Sequence, residues 1–187
     1  MLVQLILLIF GERSMTEVVL YIATSCDGYI ARSNGSIDWL LDFETAQTDY
    51  GYGEFYASIN GLAMGRKSYE QVLSFGEWAH PGKPSYVFTR QSLSSDRDDV
   101  FFTSATPQQF LCEMESRNLQ RIWLVGGAEL IAAFLEHQLI DEYILSIVPI
   151  LLGEGIPLFM PFGSEMRLKL MEVKRYANDL VQLRYVK

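Results

Sequence analysis

The chain's strongest constraint on its own fold is the stretch Ile122-Trp123-Leu124-Val125-Gly126-Gly127-Ala128-Glu129-Leu130-Ile131. A short apolar run meets two glycines, and a helical pattern starts at once. The run reads as a buried strand, and Leu130, Ile131, Phe134 and Leu135 read as one face of a helix. Glycines at such a junction let the backbone approach a ligand closely, with no Cβ in the way. The free N–H groups and positive dipole end of the new helix favour an anion, most often a phosphate. Taken by itself, a Gly-Gly pair is equally consistent with a tight packing turn.

Two further segments repeat the form. Leu62-Ala63-Met64-Gly65-Arg66-Lys67-Ser68-Tyr69-Glu70 is again an apolar run, a glycine and a helical start, with two cations and a hydroxyl at the entrance. Tyr86-Val87-Phe88-Thr89-Arg90 ends an apolar strand in a hydroxyl and a guanidinium. Arg offers a planar fork to a phosphate and Lys a point charge. Three such strand ends suit a dinucleotide with several phosphates.

Around these segments the chain alternates strands and helices. Strands are expected at Val18 to Ala23, Gly61 to Met64, Ser85 to Thr89, Val100 to Thr103 and Glu142 to Pro149. Helices are expected to begin within Ser36 to Phe43 and to cover Glu54 to Ile59 and Arg66 to Leu73, with Tyr50-Gly51-Tyr52-Gly53 as an interruption. Thr106-Pro107-Gln108-Gln109 carries a capping box with proline at the first helical position. Leu168 to Tyr176 and Leu180 to Val186 read as a hairpin about Asn178-Asp179. This pattern predicts an α/β fold: a mostly parallel mixed sheet, helices on both faces, and a C-terminal antiparallel hairpin.

Composition narrows the function. A chain of 187 residues, 49% apolar, is most simply one domain with a substantial core. Its formal net charge of −8, without a long basic run, argues against nucleic acid and acidic membranes as partners. Cys26 and Cys112 match no metal spacing, and with His80 and His137 in unrelated contexts no metal site is expected. Cysteine usage fits a reducing cytoplasm. His137 reads as a helix C-terminal charge or cap, His80 as a solvated loop residue, and Cys26 as a small apolar filler. Leu2 to Phe10 is apolar but too short to span a bilayer, and it lacks the basic start and cleavage site of a secretory signal. Residues 1–14 are therefore read as an extension to a domain of residues 15–187. Met15 as the natural first residue is favoured over an arm that packs on a partner or on the core.

The order and spacing of Ser25 to Ala31, Met64 to Glu70, Thr89-Arg90, Val125 to Ala128, and Leu139 to Tyr143 running into Pro149 and Leu152 to Gly155 resemble the dihydrofolate reductase-like superfamily. The nearer match is the branch that includes the pyrimidine reductase domain of riboflavin biosynthesis. The resemblance implies a three-layer fold, NADPH as cofactor, a small heterocyclic substrate and a homodimer paired through late strands. It implies a cis peptide between Gly126 and Gly127. It assigns the cofactor to Ala23, to Gly65, Arg66, Lys67 and Ser68, to Thr89 and Arg90, and to Val125, Gly126, Gly127, Ala128, Glu129 and Leu130. It places Asp27, Asp38, Trp39, Gly153 and Gly155 at the substrate.

For catalysis Asp27 ranks first, as an orienting carboxylate or proton source, or else as a plain Asp-Gly turn. Glu44 ranks second. Trp39 and Glu44 repeat the five-residue spacing with which true dihydrofolate reductases hold a pteridine, although Asp38 stands where that family has proline. Asp38 reads equally as a cap, and Glu44 as a solvated helix residue. The expected activity is hydride transfer to a pyrimidine or pterin type heterocycle, as in 5-amino-6-(5-phosphoribosylamino)uracil reduction. Dihydrofolate reduction and a non-catalytic NADPH-binding dimer are the alternatives.

Overall fold

The computed structural model describes residues 15–43, 49–163 and 165–187. Its centre is β1 (Glu17–Ser25), whose Val18, Val19 and Leu20 are wholly buried. A strand apolar on successive residues must be covered on both faces, as parallel strands are. β1 pairs in parallel with β6 (Arg121–Gly126) on one side and β7 (Glu142–Val148) on the other, with Leu20 opposite both Leu124 and Tyr143. Beyond β6 lie β3 (Gly61–Gly65), β4 (Ser85–Phe88) and β5 (Val100–Thr103), all parallel. Beyond β7 lies the antiparallel hairpin of β10 (Val181–Val186) and β9 (Lys169–Arg175). The eight-stranded order is β5-β4-β3-β6-β1-β7-β10-β9.

Helices cover both faces. On one, Phe110, Leu111 and Met114 of α3 (Pro107–Ser116) and Leu130, Ile131, Phe134 and Leu135 of α4 (Ala128–Glu136) pack on Val18, Leu20 and Leu124. On the other, Phe55 of α1 (Tyr52–Ser58) and Tyr69 of α2 (Arg66–Ser74) pack on Val19, Leu62, Met64 and Trp123. The expected three layers and terminal hairpin are both present. Among the described residues, no helix is long and apolar enough to cross a membrane.

Local expectations fare unevenly. The segment expected to begin an α-helix is a 3-10 helix over Asp38–Phe43. α1 starts inside the expected interruption, because Gly51 supplies a left-handed turn (φ 79°) and the Asp49 carboxylate accepts the Gly51 and Gly53 amides. A second, two-stranded sheet joins β2 (Tyr29–Ala31) to β8 (Ile156–Pro157), and nothing in the periodicity signals strands this short. His80 is buried rather than solvated, enclosed by Tyr56, Trp78 and Trp123 with ring centroids 5.2–6.2 Å away. Cys26 is exposed rather than a core filler. His137 does stand at the C-cap of α4.

At the amino-terminal edge of the parallel strands, Glu142 is buried and accepts from Arg121 (2.6 Å) and Arg184, while Arg121 also pairs with Glu17. The network ties β1, β6, β7 and β10 together. It lies opposite the edge where the glycine motifs cluster.

Candidate active site

All the strand-end motifs meet at the carboxyl edge of the parallel sheet, where open α/β folds present their ligands. β3 ends in Gly65 and β6 in Gly126, and these strands are neighbours. Their register shifts so that Met64 faces Gly126, which drops Val125 from the ladder just before the turn. The Gly126-Gly127 peptide is cis, as the resemblance implies. A Cβ on Gly65 would lie 3.7 Å from the Gly127 nitrogen and 3.8 Å from the Gly126 oxygen. One on Gly127 would lie 3.5 Å from Ser68 Oγ. The starts of α2 and α4 therefore stand side by side, separated only by the space that missing side chains leave.

Neither start is closed by a side chain: Gly65 and Gly127 are the N-caps, and no side-chain cap bond forms. α3 is closed, with Thr106 accepting from the Gln109 amide and the Gln109 side chain accepting from the Thr106 amide. Two adjacent open starts direct amide donors and two positive dipole ends into one cradle. This geometry fits the pyrophosphate of a dinucleotide.

The cations sit around this cradle. Arg66 Nη1 is 2.5 Å from Glu70 Oε1, one helical turn on. Lys67 Nζ lies 3.7 Å from Glu129 Oε1, a loose pair that joins the two helix starts and is mostly exposed. Thr89, just beyond β4, donates its amide to Thr103 and accepts the Gln91 amide on its hydroxyl. Arg90 is exposed and makes no ion pair among the described residues. Ala128 and Leu130 are buried beneath the α4 start, and Glu129 points outward.

The other half of the edge is formed by the ends of β1 and β7. The Cys26 amide donates to Ile150, and its thiol to Val148. Asp27 uses both carboxylate oxygens: Oδ1 accepts from Ser25 Oγ (2.6 Å) and the Leu152 amide (3.1 Å), Oδ2 from the Gly153 amide (2.7 Å). The Ser25 hydroxyl, then those amides, hold its carboxyl below the usual range against some desolvation. A carboxylate held by three donors suits a clamp between two loops. Gly153 supplies the clamped amide. A Cβ on Gly155 would lie 2.3 Å from the Ala31 oxygen, so glycine is needed where the loop crosses β2.

The remaining candidates separate. Trp39 is buried against Val148 and Leu180, a core position rather than a free pocket wall. Ala23 borders the same cluster. Asp38 is gripped by Arg32 at 2.7 and 3.1 Å and by the Ser36 hydroxyl at 2.8 Å, which together hold its carboxyl at about 2. It does not cap the following helix with a free side chain. Glu44 lies outside the described residues.

Sequence reasoning missed the polar frame behind this half. Tyr50 donates to the Phe43 carbonyl and accepts from Asn178 Nδ2, both at 2.6 Å. Its own carbonyl accepts from Tyr21 and Gln182, and Gln182 also donates to Ser146. These partners are up to 132 positions apart in sequence, and no local pattern marks them. Ser25, two residues before Asp27, is the one contact that spacing could have suggested.

Known proteins resemble the chain in sequence and fold. The uncharacterized protein YwjB of Bacillus subtilis is 38% identical over 172 residues, spanning 91% of this chain and 98% of that protein. A protein of Shewanella sp. PV-4, named provisionally for riboflavin biosynthesis, is 30% identical with a TM-score of 0.85, covering 91% of this chain and 98% of that one. The diaminohydroxyphosphoribosylaminopyrimidine deaminase/5-amino-6-(5-phosphoribosylamino)uracil reductase of Thermotoga maritima shares the fold, with a TM-score of 0.71 at 16% identity. That likeness covers 97% of this chain but 58% of the Thermotoga protein. Residues 16–182 match the RibD C-terminal domain family, and the chain belongs to it.

Proposed function

We propose that this protein is an NADPH-dependent reductase acting on a pyrimidine or pterin type heterocycle. The observation that carries the reading is the pair of open, glycine-capped helix starts at Gly65 and Gly127, side by side at the carboxyl edge of the sheet. Arg66, Lys67 and Arg90 would add the charge-assisted contacts that an extra phosphate on the adenine ribose requires. When bound, NADPH supplies the hydride. The chain's part is to hold the phosphates at the two helix starts, to bring the ends of β1 and β7 against the reacting ring, and to exclude water. Asp27 serves as a positioning residue in this scheme, fixing the 149–155 loop against the end of β1.

Fluorescence titration with NADPH and NADH tests the cofactor assignment, and NADPH oxidation across pterins and pyrimidines tests turnover. Gly127→Ala is the sharpest variant. Its Cβ would make ordinary contact with Ser68, so the fold should accept it while the cradle loses its opening. NADPH affinity should fall about tenfold or more, with an unchanged melting temperature. NADPH binding without oxidation of any heterocycle would favour a non-catalytic cofactor-binding protein.

We also propose that the protein works as a cytoplasmic homodimer paired through its late strands. All seven residues of β9 are exposed, Leu170, Met171 and Val173 among them, which leaves an open sheet edge.

A further inference from the structure

The two halves of the strand-end edge differ in charge, and the difference bears on the substrate. From Ser33 to Phe43 and from Asp49 to Gly51 the sequence contains no Lys, Arg or His, but has Asp38, Asp42 and Asp49. From Asp141 to Met166, which includes the loop after β7, there is again no Lys, Arg or His. The Cys26 to Ala31 segment has none either. The described parts of these segments supply the loops at the ends of β1 and β7 and the 3-10 helix that packs beside them.

Arg32 and Arg175 border this half, and each is already paired. Arg32 is bound through two nitrogens to Asp38, which the Ser36 hydroxyl also holds. Arg175 pairs with Asp179 at 2.7 Å, beside the hairpin turn whose Asn178 reaches Tyr50.

Among the described residues, several backbone amides of this half are already engaged. The 3-10 helix starts on Asp38. The entrance of α1 is closed by Asp49, whose carboxylate already accepts the Gly51 and Gly53 amides. The amides of Leu152 and Gly153 are taken by Asp27. The amides of Gly51, Gly53, Leu152 and Gly153 thus already hold a carboxylate of the protein. A phosphate monoester brings nearly two negative charges and needs open donors or unpaired cations.

On the reductase reading proposed above, we infer that the substrate is a neutral or cationic heterocycle of nucleobase or nucleoside type, carrying no phosphate. The cofactor half provides the contrast. There the helix starts are open, Lys67 is paired only loosely, and Arg90 has no ion-pair partner among the described residues. Anion recognition is built on one side of the edge and withheld on the other. This separates the chain from the phosphoribosyl substrate in the Thermotoga protein's name.

The test begins with NADPH titration of the full chain. Absence of NADPH binding would defeat the reductase reading itself. With NADPH binding established, two matched pairs are compared: the 5-amino-6-ribosylaminouracil nucleoside with its 5′-phosphate, and dihydroneopterin with its phosphate. The readout is kcat/KM or, for a compound that is bound but not reduced, Kd on the NADP⁺-loaded protein. The unphosphorylated member should be favoured at least tenfold in each pair that binds. Equal values or preference for the phosphate would overturn the inference, and so would NADPH binding with no interaction from any of the four compounds. Two variants examine the cause. Asp38→Asn releases Arg32 and should narrow the preference several-fold. Arg32→Gln should leave it unchanged, and a selective loss of the phosphate ester in that variant would assign Arg32 to substrate phosphate and reject the inference.

Discussion

Around β3, β4 and β6 the strand-end edge is made of glycines and cations, and its helix starts are open. Around β1 and β7 the same edge carries the carboxylates of Asp27 and Asp38, and the Leu152, Gly153 and Arg32 donors are already engaged by them. Both halves lie at the ends of parallel strands in one sheet, so strand geometry does not separate them. What differs is the loop residues that follow each strand. The helix starts at Gly65 and Gly127 are closed by no side chain, whereas the Gly153 and Gly51 amides are taken by the carboxylates of Asp27 and Asp49. An open donor array can bind an anion without rearrangement; a closed one fixes loop shape instead.

The largest effect should come from stripping charge from the open half. Replacing Arg66 and Arg90 together with Ala should weaken NADPH relative to NADH by about a hundredfold or more, since charge-assisted contacts are worth about 1.5–3 kcal/mol each. Fluorescence titration of both cofactors measures this. Equal losses would dissolve the proposed division of the edge. Arg66 is held by Glu70 in the protein alone, so Glu70→Gln should strengthen NADPH a few-fold by releasing it.

This half was also the legible one. Its residues are local: strand, glycine, cation and helix start follow one another within a few positions, so periodicity and turn chemistry reach them. The sheet, its layers and the hairpin were legible for the same reason. The other half is assembled by contacts such as Asp27 with Gly153 and Tyr50 with Asn178, which join residues 126 and 128 positions apart. Asp27 could be singled out from its place after β1, but its partners could not, and the partners make it a clamp. Trp39 shows the same limit: the Trp-to-Glu spacing resembles a pteridine site, while packing against Val148 and Leu180 places the ring in the core. His80 reads as solvated because its loop is polar and proline-rich, yet Tyr56 of α1 and Trp123 of β6 close over it together with the neighbouring Trp78.

A smaller effect is expected from opening the closed half. Asp27→Asn keeps the side chain's shape but removes the charge that two amides and a hydroxyl share. Turnover should fall about tenfold while NADPH affinity stays nearly constant. The pH profile sharpens the role. The Asp27 carboxyl titrates below its ordinary value of 3.8, so the stabilisation it provides is present above that value and disappears as pH falls through the folded one. Between pH 5 and 8 it stays ionised and should add no limb to the rate profile. A limb in that range that vanishes in Asp27→Asn would restore it as a proton-transfer group.

Smaller again is an effect on stability alone. Burial pushes His80 down to about 4 from an ordinary value of 6.5. Between those values the unfolded chain takes up a proton that the folded one does not, so stability should fall as pH drops from 6.5 to about 4 and level off below. The melting temperature should follow by a few degrees, and His80→Phe should flatten this limb. NADPH affinity should not change, because the His80 ring packs on Tyr56, Trp78 and Trp123, away from both halves of the edge.

The smallest effect belongs to the opposite end of the sheet and serves as a control on the whole comparison. β1 is secured from its first residues: the Glu17 amide donates to Gln120, the Thr16 hydroxyl to Leu119, and the Met15 amide to Glu115 at 3.1 Å. None of these bonds uses residues 1–14. In a chain beginning at Met15, the Met15 nitrogen becomes an ammonium, and its bond to Glu115 becomes an exposed ion pair. Such pairs contribute about 0–1 kcal/mol, so the melting temperature should stay within about 2 °C of the full chain's. NADPH affinity and turnover should be the same in both chains, because this edge is the far end of β1 from Asp27. Calorimetry and light scattering on the two chains decide the matter. A large drop in melting temperature or a change in oligomeric state would make residues 1–14 part of the folded domain or of its interface. The extension reading would then fail while the comparison between the two halves still stood.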